Sequence, residues 1–186
     1  MNATIQATRL GAGLLLSLSA LTAHAAAEAP ADAELVRPQA LIADRSLGRE
    51  AQQAALLAAR RYATFWHTGD ERFAVAALAP DFTDRTLPPG RAQGVPGPLA
   101  ASKFMRAAIP DLQAEARQMI VAGNRVTVHY RFHGHFSGQW AGTQGKGQDI
   151  DFIATDIYRI EGGRIADNWH IEDKLALMQQ LGLVAR

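Results

Sequence analysis

The chain has 186 residues, no cysteine and a formal net charge of +1. Without cysteine there are no disulfide staples, thiolate metal sites or thiol nucleophiles, so any chemistry must rest on carboxylate, imidazole, phenol or amine groups. The 19 Lys and Arg residues and 18 Asp and Glu residues are scattered rather than clustered, which leaves no nucleic-acid footprint and favours a neutral or weakly polar partner.

At the start of the chain, Arg9 precedes an apolar run from Leu10 to Leu21, and Ala23-His24-Ala25 follows as a small-x-small site. This pattern predicts a secretory signal peptide over residues 1–25, cleaved after Ala25, and a periplasmic or secreted mature protein. The run is shorter than the ~20 residues a bilayer demands of a helix, so no membrane span is expected in the mature chain. About 160 residues remain, enough for a single domain. Residues 26–45, rich in Ala, Pro and Asp, read as a spacer, and residues 46–186 as the domain.

Ala54, Leu57, Ala58, Tyr62, Phe65 and Trp66 recur at helical spacing and predict a long helix from Ser46 to Gly69-Asp70. A second helix is expected from about Glu71 to Ala79, stopped by Pro80, and a third from Leu99 to Ile109, stopped by Pro110. The period then changes to two. Gln113–Val121, Arg125–Ser137, Gln148–Ile160 and Arg164–Ile171 read as strands, and a short helix from Lys174 ends at Gly182. Helices followed by a strand meander describe an α+β domain, with helices on one face of a curved antiparallel sheet.

Alternation assigns the strand faces. Val126, Val128, Tyr130 and Phe132 point inward, with His129, Arg131, His133 and His135 outward. Ile150, Phe152, Ala154, Asp156, Tyr158 and Ile160 form the next inward set. In the last strand the inward set is Ile165, Asp167, Trp169 and Ile171, continued by Asp173, with His170 on the opposite face. A turn over Glu161 to Arg164 would pair Asp156 with Trp169 and Phe152 with Asp173, leaving Asp156 and Asp173 ~13 Å apart along one pocket. Burial would raise such carboxylates toward acid–base use. The plainer readings are an N-cap for Asp173 and a carboxylate tied by a Tyr or Arg for Asp156.

The stretch from Phe152 to Gly182 resembles the C-terminal signature of the SnoaL-like polyketide cyclases. The matching pieces are Asp156 to Arg159, Gly162-Gly163, Trp169 with Asp173, and Gln180-Leu181-Gly182; Trp66 before Gly69-Asp70, Pro110-Asp111-Leu112 and Gly123-x-Arg125-Val126 agree in order. The resemblance implies the cone-shaped fold of nuclear transport factor 2, scytalone dehydratase and ketosteroid isomerase, with three N-terminal helices, a short C-terminal helix and an open end that holds a small molecule. It also implies a homodimer through the outer sheet face.

It further implies a cofactor-free aldol-type cyclase or isomerase, with Asp173 as acid/base and Asp156 as a donor to an enolate oxygen. Tyr62, Trp66, Asp84, Tyr130, Phe152, Tyr158 and Trp169 would line the pocket. A ketosteroid-isomerase-like variant makes Tyr62 and Asp156 an oxyanion pair and Asp84 the base. The expected ligand is a small apolar or oxygenated molecule, and the alternative to an enzyme is a non-catalytic binding module. No cofactor or metal is expected, because His133 and His135 share a face but find no third ligand in the sequence. Gly142, Gly145 and Gly147 do not have phosphate-loop spacing.

Overall fold

The computed structural model describes residues 35–44, 46 and 48–185; the expected signal peptide and the first part of the expected spacer lie outside them. The domain begins before Ser46. Ala40–Ala43 forms strand β1, and Arg60 of helix α1 (Arg49–Thr68) donates to the carbonyls of Val36 and Leu35, both at 3.0 Å. The spacer assignment therefore ends no later than Leu35, a residue buried by these contacts.

Helix α1 buries Ala55, Ala58, Ala59, Tyr62 and Phe65 on one stripe. It stops where Gly69 takes φ 77°, which only glycine adopts freely, and its N–H returns to the Phe65 carbonyl. Arg106 crosses this end and donates to the carbonyls of Trp66 and His67, both at 2.7 Å, so it is a helix cap rather than surface charge. A Cβ on Gly69 would stand 2.6 Å from the Arg106 side chain.

Helix α2 (Glu71–Ala77) is capped by Asp70 and gives way at Leu78 to strand β2 (Leu78–Asp84), a strand that the sequence pattern did not reveal. Pro80 is tolerated because β2 is an edge strand and its register shifts between Leu78 and Thr83. Helix α3 (Pro96–Ala108) starts on Pro96.

Strands β3 (Gln113–Ala122), β4 (Arg125–Phe136), β7 (Gln148–Glu161) and β8 (Arg164–Glu172) form the antiparallel meander expected from alternation. Between β4 and β7 the glycine-rich stretch folds a small ribbon, β5 (Gln139–Trp140) with β6 (Thr143–Gln144). The six-stranded sheet runs β1-β3-β4-β7-β8-β2, and both edge strands lie parallel to their neighbours. Helix α4 (Lys174–Gln180) closes the chain. The α+β architecture of a curved, unclosed sheet with helices on its inner face agrees with expectation. Among the described residues, no helix is long and apolar enough to cross a membrane.

The core lies between α1 and the sheet, where Val126, Val128, Tyr130 and Met119 are fully buried. Each such side chain contributes roughly 1.5–3 kcal/mol on burial. At the wide end of the sheet, the side chains stop short of filling the space.

Candidate functional site

A cavity of about 320 Å³ opens at this end, bounded by α1, β2, α3, the sheet and α4. Its walls are aromatic and aliphatic: Trp66 stands perpendicular to Phe132 at 6.0 Å, and Phe132 stacks on Phe152 at 5.2 Å. Phe82, Met105, Leu177 and Met178 complete the lining. Polar groups enter from β2, β7 and β8.

The β7–β8 pairing decides which ones. Gly162 and Gly163, at φ 55° and 73°, make a two-residue turn that sets Ile160 opposite Ile165. The ladder then slips, so that Arg159 faces Asp167 and Ala166 is the extra residue of a bulge. One inserted residue reverses every side chain beyond it. Asp156 therefore lies opposite His170, not Trp169, and the inward set is Asn168, His170 and Glu172.

The slip corrects several expectations for β8 and the residue after it, and the packing behind the cavity wall corrects two more. Trp169 is 37% exposed on the outer face, beneath the Arg125 guanidinium at 5.7 Å, and Ile171 is exposed beside it. Asp173 lies outside the cavity lining and accepts from the Ala176 N–H at 3.0 Å, as the N-cap of α4. Asp167 is buried in the bulge between Arg85 and Arg159, and both of these donate to it. Tyr130 and Tyr158 are buried behind the wall instead of lining it: their hydroxyls meet at 2.9 Å. Tyr62, Trp66, Asp84, Phe152 and Asp156 do line the cavity.

Asp156 is 3% exposed and accepts three hydrogen bonds. Tyr158 Oη–H donates to Oδ2 at 2.8 Å, while Asn168 Nδ2 at 3.3 Å and His170 Nδ1 at 2.7 Å donate to Oδ1. His170 Nε2 lies 3.6 Å from Glu172 Oε2. Burial works against a charge on His170, yet the hydrogen bond to Asp156, the closeness of Glu172 and the negative charge of both carboxylates outweigh it, and its pKa is pushed up to about 10. The adjacent His170 imidazolium holds the Glu172 carboxyl below its ordinary range, although burial opposes this. Burial and the nearby Asp156 charge keep the Tyr62 phenol well above its usual value.

Asp84 sits at the end of β2, where its Oδ1 accepts from the Thr86 N–H and hydroxyl. Arg85 turns away from it to Asp167. Thr86 in turn accepts from the His170 N–H at 2.9 Å, and so ties the β2–α3 connection to β8. The arrangement is a buried carboxylate paired with a protonated imidazole on the wall of an apolar cavity, a pairing suited to removing a proton from one atom and stabilising negative charge on another. Among the described residues, no group of three or more His, Asp or Glu side chains is placed to hold a metal ion.

No curated protein sequence matches the chain. The family model described as SnoaL-like polyketide cyclase matches residues 56–181. Among solved structures, a proposed polyketide cyclase from Bacillus cereus ATCC 10987 is 35% identical with a TM-score of 0.75, covering 82% of this chain and 97% of that one. TsrD from Streptomyces laurentii is 25% identical with a TM-score of 0.63, over 74% and 99% of the two chains. IdmH from Streptomyces antibioticus, also a proposed polyketide cyclase, shares the fold at 23% identity and a TM-score of 0.62, over 69% and 98%.

Proposed function

Since the chain belongs to the SnoaL-like polyketide cyclase family, we propose that it is an exported, cofactor-independent acid–base catalyst of carbonyl chemistry, an aldol-type cyclase or isomerase. The observation that carries this reading is the Asp156–His170 pair, hydrogen-bonded at 2.7 Å on the wall of an apolar cavity. Asp156 takes a proton from a carbon beside a carbonyl, and the electron pair moves onto the carbonyl oxygen. His170 Nε2–H holds that oxygen as an enolate. The enolate carbon then attacks a second carbonyl of the same molecule, and the proton returns to the new alkoxide. Nothing is oxidised or reduced and no atom is lost, so neither an electron carrier nor a co-substrate is required.

The test is exchange of α-hydrogens for deuterium in D2O, followed by NMR over a panel of aromatic 1,3-diketones. Catalysed exchange is expected, reduced about 10²-fold or more in His170→Gln, as for loss of one oxyanion donor, and abolished in Asp156→Asn. Exchange by neither the wild type nor the variants would sink the catalytic reading. The second reading, a non-catalytic ligand-binding module, is favoured by one observation: both oxygens of Asp156 are already bonded without any ligand. A binder would keep its affinity in Asp156→Asn.

Export rests on the sequence of residues 1–25, and the first residue of the mature protein, read by N-terminal sequencing, is expected to be Ala26. The homodimer proposal gains support from the outer sheet face. There the polar row is internally paired, His129 with Thr155 and Arg131 with Asp151, whereas Ile153, Ile157, Trp169 and Ile171 stand uncovered.

A further inference from the structure

The charged groups of the cavity fall into two sets. The acceptors are engaged: Asp156 by three donors, Glu172 beside His170, and Asp84 by Thr86 at 2.8 and 3.1 Å. The donors Arg91 and Lys174 are not. Both line the cavity at its exposed rim, and neither side chain makes a hydrogen bond or ion pair among the described residues.

They reach the rim from separate elements, Arg91 from the connection between β2 and α3, and Lys174 from the first turn of α4. Lys174 follows Glu172 by two residues, which brings it to the end of the cavity lined by His170 and Glu172, and the positive charges of Lys174 and Arg91 both favour the ionised Glu172 carboxylate. Cations that meet this carboxylate only through space, with no hydrogen bond or ion pair among the described residues, suit an anionic oxygen group at the mouth of an apolar cavity, and guanidinium geometry suits a planar carboxylate in particular. Glu172 faces the same end and repels a second carboxylate, so two cations are needed to make the rim attractive. The aromatic walls below accept a ring system, not a hydrophilic body.

We propose that the cavity binds an amphipathic carboxylic acid, its apolar ring body between Trp66, Phe132 and Phe152 and its carboxylate held at the rim by Arg91 and Lys174. A carbonyl placed just inward of that carboxylate passes Asp156 and His170. The inference rests on the cavity being a ligand pocket, which the catalytic and binding readings share.

The experiment compares biphenyl-4-carboxylate with biphenyl-4-carboxamide at neutral pH, using calorimetry on the purified protein. The acid is expected to bind at least about tenfold more tightly than the matched amide. Arg91→Gln and Lys174→Gln should each narrow that ratio and together erase it, through a larger loss for the acid than for the amide, with an unchanged far-ultraviolet circular dichroism spectrum as the control for folding. Equal affinities in the wild type, an equal loss for both compounds in the double variant, or no binding of either at millimolar concentration would overturn the proposal. Deuterium exchange separates the two ideas. Acid preference without exchange removes only the catalytic reading, and exchange without acid preference removes only this one.

Discussion

His170 lies between Asp156 and Glu172, and Arg91 and Lys174 line the same cavity. Its folded pKa of about 10 stands above the ~6.5 of an unfolded histidine, so protonation favours the folded state. That contribution is complete below pH ~6.5 and disappears as the pH rises toward 10. Melting curves of the wild type and His170→Gln should therefore differ most near pH 6 and converge by pH ~10, and an NMR titration should find the imidazole still protonated at pH 8. Tyr158 offers a second test. Its hydroxyl joins Tyr130 to Asp156, and Tyr158→Phe leaves two buried oxygens short of a partner, a loss of about 1–3 kcal/mol by urea denaturation. Asp156 was legible in the sequence because the alternation of β7 is unbroken from Ile150 to Tyr158. Asn168, His170 and Glu172 were not, because the adjacent apolar pair Ile165-Ala166 is the only trace of a bulge that reverses the faces beyond it.

At the level of elements, α4 depends on its cap. Asp173→Ala should cost about 1 kcal/mol of stability while leaving deuterium exchange and ligand affinity near wild-type values; a large loss of turnover with stability intact would return Asp173 to the chemistry. The long helix, α3, β4 and β7 could be read from periodicity, since each presents one continuous apolar face, and β3 and β8 were legible as strands although a register shift interrupts each pairing. β1 and β2 escaped for a physical reason. As edge strands they pair on one side only, β1 is four residues long, and β2 carries Pro80 and Asp81 where an alternating pattern would be sought. β2 is also the strand that brings Phe82 and Asp84 to the cavity, so the hidden element was part of the site.

For the whole molecule, the uncovered apolar stripe on the outer sheet face predicts a two-fold dimer, because an exposed patch of this kind on an antiparallel sheet is complementary to itself. Light scattering should give twice the chain mass, and Ile157→Lys with Ile171→Asp should halve it without altering the far-ultraviolet circular dichroism; a monomeric wild type would refute the dimer. The two parallel edges bear on how the chain is made. β1 pairs with Gln118 to Val121 of β3, and among the described residues β2 pairs with β8 alone, with Leu78 opposite Ile165. The β1 margin cannot form until β3 has been synthesised, and the β2 margin not until β8 near the end of the chain, and closing such long loops is slow. During synthesis the two margins therefore remain open edges while the helices and central hairpins, whose partners are close in sequence, can already form.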